Sequence, residues 1–535
     1  MASFKYAFSL SKQELAEATP PGTSRLIAQR FDDEPGHIHH LRLVPQPSSD
    51  AADPLNWPMW RKIAILLCMS IDAFIGNFAS SSIASALPLL ATPLAFNPPV
   101  AFSRLSQLIA VNVLMQGVAN IWWVPLANTF GRRPVILISL VLLVFSSMWA
   151  GLATSFSSLL AARVFMGIGQ APSEAVSPDV VGEIFFTHQT GRAMGVYTIF
   201  LLTGSLVGGI SGGYIAGNMG IPWIHWINVI LAAITLVLCF FLAPETMFDR
   251  QKVLGLNSRQ EPSLDTHEKV PDIRLEQTTT HHNEITGSYS FLRSLKIGTY
   301  RPGLLRRFFA PYKTLRLPGV WLVMFWYAGL VGGIVAISTV GPTIVASPPY
   351  LWGANAGLIN VGGLVGSVLG AAATYLSVDH ALTSKAKHGS HGLSEAEDRL
   401  PVTLPGLFLA TCGLWTFGFS AWSSLPKAWV GMEVGLGMLA FGLMQAPSVG
   451  FNYLIESYNA VSGDCFVAVT TMRAIVAFSW TFFVGEWVTS AGPAVPFGVF
   501  GGLMGLFSLM VIPIWVWGKR LRIVTEKWLP REVEH

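Results

Sequence analysis

The chain has 535 residues, 52% of them hydrophobic and only 12% charged, where a water-soluble domain carries roughly a quarter charged residues. That balance excludes an ordinary soluble fold. The formal net charge of +4 gives no sign of a nucleic-acid partner, and the four cysteines set out neither a disulfide framework nor a metal site.

The first 61 residues or so are polar and read as a tail. His37, His39 and His40 within it have no acidic or cysteine partner at ligand spacing, so they form a solvated stretch and no metal is expected. The first apolar run is long enough to stay in a bilayer as an anchor, so no cleaved leader is read. From there twelve apolar stretches follow, each long enough to cross a hydrocarbon core of about 30 Å. They cover about residues 62–88, 105–127, 134–153, 157–183, 191–216 and 223–243, then about 318–346, 353–376, 402–422, 428–452, 464–490 and 495–518, and are numbered here as spans 1 to 12.

Charges inside such spans are costly and face a cavity or a partner, which makes each one a functional candidate. Asp72 in span 1 stands about ten residues beyond Lys62, hence about 15 Å into the bilayer, where a carboxylate suits the gain and loss of a proton; the plainer reading is a structural acid bonded to a neighbouring helix. Between spans 2 and 3 the loop PLANTFGRRP carries Asn128, Gly131, Arg132 and Arg133. In span 4, Arg163 and Glu174 are separated by about three helical turns and project from one face, and a guanidinium at that depth calls for an acid partner. Glu183 near the end of span 4 is expected to pair with Arg132, Arg133 or Arg192 as a gate, with Asp179 beside it. Span 5 holds Gly195, Gly204, Gly208, Gly209, Gly212 and Gly213, and glycines four apart stack on one face and let a second helix approach backbone to backbone. Arg473 in span 11 is the candidate of the second half, whereas Glu433 and Glu486 fall toward the solvated outer ends of their spans.

The insert at about 244–317 divides the spans six and six. Its first part, QEPSLDTHEKVPDIRLEQTTTHHNEITGS, has too little apolar surface to fold alone. Its second part, rich in arginine and lysine among leucines and phenylalanines, reads as a segment lying on an anionic inner leaflet. Lysine and arginine concentrate in the insert, in the loops joining even spans to the next odd one, and in the tail at about 519–535, so both termini are expected in the cytoplasm. No G-x(4)-G-K-[ST] loop occurs, so a gradient rather than a nucleotide must supply any driving force.

Several motifs then resemble one family. PLANTFGRRP is similar to the loop G-x-L-A-D-R-x-G-R-R of the major facilitator superfamily, keeping Gly131, Arg132 and Arg133, with Asn128 in place of the family's acid. LLAARVFMGIGQAPSEA resembles its R-x(3)-G-x-G motif through Arg163, Gly167 and Gly169, and SSSIASALPLLA its A-L-P segment. The span 5 glycines resemble the antiporter motif of the family's fungal twelve-span drug:proton antiporters, with Gly209 where those have proline. The resemblance covers nearly the whole chain. It implies an all-α membrane fold of two six-helix halves (about 62–243 and 318–518), proton coupling through Arg163, and no enzymatic activity or cofactor; a monomer is expected, in the plasma membrane or else a vacuolar or other organelle membrane. The expected function is proton-coupled efflux of a small amphipathic compound, such as a toxin, drug or secondary metabolite, by alternating access. The alternatives are proton-coupled uptake of a polar nutrient such as a polyamine or organic acid, and a membrane sensor that transports nothing.

Overall fold

The computed structural model describes residues 52–248, 300–388, 393–423, 425–458 and 461–528, apart from 93–95 and 97, together with tail stretches at 8–10, 14–15, 20 and 23–25. The disorder expected for the insert falls on residues outside these.

Among the described residues eleven helices are long and apolar enough to cross a membrane. They run Met59–Leu90, Phe102–Phe130, Arg132–Leu152, Gln189–Met219 and Ile221–Leu242, then Pro318–Ala346, Gly353–Tyr375, Ala396–Trp422, Ala428–Ser457, Ser462–Ala491 and Ala494–Thr525. The twelfth crossing is span 4, which is broken into Phe156–Gln170 and Pro172–Ile184. Proline supplies no amide hydrogen, so Pro172 opens the second segment at a position where none is required. Apolar residues facing outward, such as Phe145, Ile234, Phe408 and Phe483, are what a lipid-facing surface presents.

Span 1 is also interrupted. Its main helix ends at Ser81, and a short 3-10 turn over Ala84–Ala86 leads to Leu87–Leu90. Gly131, at φ 109°, ends span 2 and starts span 3 in one residue, a backbone geometry that only glycine takes without strain. The face that carries these basic loops also carries a small antiparallel ribbon, in which β1 (Thr23–Arg25) pairs with β2 (Leu393–Glu395).

The span 5 glycines form two rows with different partners. A side chain at Gly208 would meet the Phe78 carbonyl oxygen at 2.6 Å, and one at Gly204 or Gly212 would overlap the carbonyls of Phe74 or Ser82, so this row seats span 5 against span 1 of the same half. A side chain at Gly209 would instead come within 2.7 Å of Asn360, and one at Gly213 within 2.8 Å of the Ala354 carbonyl, at the start of span 8, which belongs to the other half. Gly195 has open space around it and takes no part in close packing, contrary to the sequence expectation.

Candidate transport cavity

Between the halves lie two adjoining chambers. The first is lined on one side by Asn77, Ser81, Gln116 and Ser205 and on the other by Val331, Ser338, Thr339 and Leu443. The second extends toward the basic face past Tyr197, Pro447, Phe451 and Asn452. Glu174, Leu201, Leu202, Tyr327 and Leu443 border both. On the opposite face the way is closed by Gly209 and Gly213 against span 8, and by Gly485 of span 11, where an added side chain would meet Ser103 and Ser106.

Glu174 and Arg473 meet as an ion pair across this cavity, with side chains 1% and 4% exposed. Glu174 is placed there by the first turn of the helix that Pro172 starts, and Arg473 by the middle of span 11. The Arg473 guanidinium lies 5.5 Å from the centre of the Tyr327 ring, a cation–π distance. One oxygen of Glu174, Oε1, and one nitrogen of Arg473, Nε, have no hydrogen-bond partner among the described residues.

Arg163 behaves otherwise than the sequence suggested. It has no acid partner: Nη1 donates to the Ala79 carbonyl (2.8 Å), Nη2 to that of Ser80 (2.6 Å) and Nε to that of Leu108 (3.1 Å). The last carbonyls of a helix lack partners within it and carry partial negative charge. Arg163 supplies both donors and charge at the place where span 1 breaks. It is fully buried and lines neither chamber, so the face shared with Glu174 is lost at the break in span 4.

Asp72 is buried as well and accepts a hydrogen bond from Ser177 Oγ of span 4 at 3.0 Å. It too lines neither chamber, which fits the plainer reading of a structural acid.

At the basic face Arg132 donates to Glu183 (2.9 Å) and to Asn128 Oδ1 (2.8 Å), and lies 3.3 Å from Asp179. Of the three partners anticipated for Glu183, Arg132 is the one found; Arg192 is exposed on the surface. Arg133 turns away and donates to the Phe240 carbonyl (2.7 Å). Glu245, just past span 6, accepts from the backbone amides of Arg132 (2.9 Å) and Arg133 (3.2 Å) and so caps the start of span 3. Burial holds its carboxyl above the ordinary value of 4.5, and these backbone bonds pull it partway back. The second half has its own cluster: Arg399 with Glu456 at 2.5 Å, and Arg522 with Glu395 at 2.6 Å and Glu397 at 2.7 Å.

Sequence reasoning named Tyr327 among the aromatics that could line a cavity or hold a cation over a ring, but did not find Ser177, Glu245, Glu397 or Arg522 as site residues. Only Glu245 had a local signal, as an acid placed directly after an apolar span. Arg522 and Glu397 are 125 residues apart, and nothing local links them.

A family model described as Major Facilitator Superfamily matches residues 69–481. Protein HOL1 of Saccharomyces cerevisiae is 25% identical, over 92% of this chain and 92% of its own length. The efflux pump FUB11 of Gibberella moniliformis is 24% identical, over 90% of this chain and 78% of its own. Among solved structures, a partially occluded inward-open conformation of the xylose transporter XylE from E. coli aligns with a TM-score of 0.56 at 13% identity, covering 85% of this chain and 99% of XylE. This last likeness speaks for the fold alone.

Proposed function

The chain belongs to the major facilitator superfamily, and from that premise we propose that this multi-pass membrane protein is a proton-coupled secondary transporter that exports a small, partly apolar organic compound. The observation that carries the reading is the enclosed cavity between the halves, mostly apolar, with a few hydroxyls and amides and one ion pair. Such a lining fits an amphipathic cargo of modest size. A site between repeats that closes on one face and then the other is what alternating access requires. Export is supported by relatives named as efflux pumps and by the glycine rows of span 5.

Within this reading we assign the cargo-linked proton to Glu174, which borders both chambers, and give Asp72 the task of holding span 1 to span 4. Arg163 pins the break in span 1. The Arg132, Asp179 and Glu183 cluster latches the basic face, which we place in the cytoplasm together with both termini, in a plasma-membrane monomer. A second reading, uptake of an organic acid, draws support from the arginine in the cavity.

Accumulation of labelled candidate compounds in cells with and without the protein tests the proposal. Lower accumulation with the protein supports export, and higher accumulation supports the second reading. Equal accumulation across a broad panel would leave a sensor.

A further inference from the structure

Glu174 and Arg473 are the formally charged residues among those lining the chambers, and the two are not equivalent. A carboxylate can take up a proton and remain buried as a neutral group, whereas an arginine does not lose its proton in a protein. Opening the pair from the arginine's side leaves a buried charge without its partner, which is strongly unfavourable. Opening it from the glutamate's side, by protonation, leaves a guanidinium with its planar fork available, and that fork matches a carboxylate. Arg473 Nε already lacks a protein partner there, as does Glu174 Oε1.

A cargo carboxylate entering while Glu174 is still ionised would meet a like charge. That repulsion opposes binding. A cargo amine would have to draw Glu174 from Arg473, and among the described residues no second acid lines the chambers to take the arginine.

We infer that the cargo is an organic acid whose carboxylate binds Arg473 when Glu174 holds a proton, so that cargo and proton bind together. This rests on the transporter reading above and is independent of the direction of travel. One proton and one carboxylate crossing together move no net charge. An acid outside then drives uptake, and export runs when the acid made inside exceeds what the pH difference opposes.

The groups around Glu174 are few. Arg473 faces it from span 11, and Tyr327 from span 7. From span 5 comes Tyr197, whose hydroxyl donates to the Ser173 carbonyl, and from span 2 the neutral Gln116. Asp72 of span 1 lies behind, on Ser177, and Asp179 further along span 4 is held by Arg132. Asp72 is therefore the competing proton site.

The test uses the full chain in lipid nanodiscs and three matched probes: 1-naphthylacetate, its neutral amide, and 1-naphthylmethylamine. Binding is measured by equilibrium dialysis from pH 5 to 8, and proton uptake with an indicator dye in weak buffer. The carboxylate should bind up to about tenfold more tightly for each unit of falling pH, as linkage to one proton requires, and take up about one proton. E174Q should bind it with no pH dependence, and R473Q should weaken it at least about tenfold. Binding of the neutral amide reports that each variant is folded. Tighter amine binding as pH rises, wild-type carboxylate binding indifferent to pH, or loss of the pH dependence in D72N but not in E174Q would each overturn the inference, as would failure of the carboxylate to bind at any pH. Flux of the carboxylate in proteoliposomes is read separately: binding as described without flux leaves the pairing intact and defeats the transporter reading.

Discussion

Glu174 and Arg473, 299 residues apart in the chain, form a buried ion pair that joins the two six-helix halves inside the cavity. Any motion that swings the halves apart at this level must break the pair or carry it along, so cargo, proton and conformation meet at one contact.

The pair's contribution to stability is separable from its role in transport. Replacing Glu174 or Arg473 alone by leucine should destabilise the protein by about 3–5 kcal/mol, because a buried charge loses its partner. The double replacement should destabilise it by clearly less than the sum, as double-mutant logic requires for groups in contact. Thermal unfolding of the four forms in one detergent measures this; additive losses would mean that the two residues act independently.

Asp72 and Glu174 should part company in flux. With a pH gradient imposed on proteoliposomes, Glu174→Gln is expected to lose the dependence on the gradient. Asp72→Asn keeps it, at a reduced rate, because it weakens only the bond to Ser177. The opposite outcome would return the proton to Asp72.

The glycine rows predict a graded series. Gly212→Leu should abolish transport, since a side chain there overlaps the Ser82 carbonyl and overpacking typically costs about 1–3 kcal/mol or more. Gly195→Leu should be near neutral, because the space around Gly195 is open. Membrane abundance and transport of the two variants are compared side by side, and equal damage would refute the packing account.

Arg163→Lys keeps the charge but not the three-way fork, so at least one of the carbonyls of Ala79, Ser80 and Leu108 loses its donor. Each bond from a charged donor is worth about 1.5–3 kcal/mol. A drop in melting temperature is the expected result, with transport falling in parallel. A variant that is fully stable yet uncoupled from protons would instead place Arg163 in the proton path.

Glu245→Gln should weaken the cap on span 3 by about 1 kcal/mol. Because the Glu245 carboxyl titrates above 4.5 in the folded chain, the folded state binds the proton more tightly than the unfolded one. Its contribution to stability therefore falls as pH rises from 4.5 through the raised value, and Glu245→Gln should remove that slope. Unfolding curves at several pH values in one buffer series are the check.

Span number and order were legible in the chain because a bilayer imposes a length of about 20 apolar residues on each crossing, and the observed helix ends fall within a few residues of the expected ones for most spans. Charged residues inside spans were likewise visible as candidates. Which of them meet was legible only for Glu183, whose partner Arg132 was one of three anticipated. Arg163 was expected to need an acid and took backbone carbonyls, two of them at the end of the span 1 helix just before the turn at Ala84–Ala86, a break that hydropathy does not mark. Arg473 and Glu174 come together only through the docking of spans 4 and 11, and the two glycine rows acquire different partners only once span 5 is wedged between span 1 and the start of span 8. Sequence by itself determined the elements and the membrane they suit, since hydropathy and helical period are local. The tertiary structure alone decided the pairs Glu174–Arg473 and Glu397–Arg522, since these depend on contacts between residues 299 and 125 positions apart.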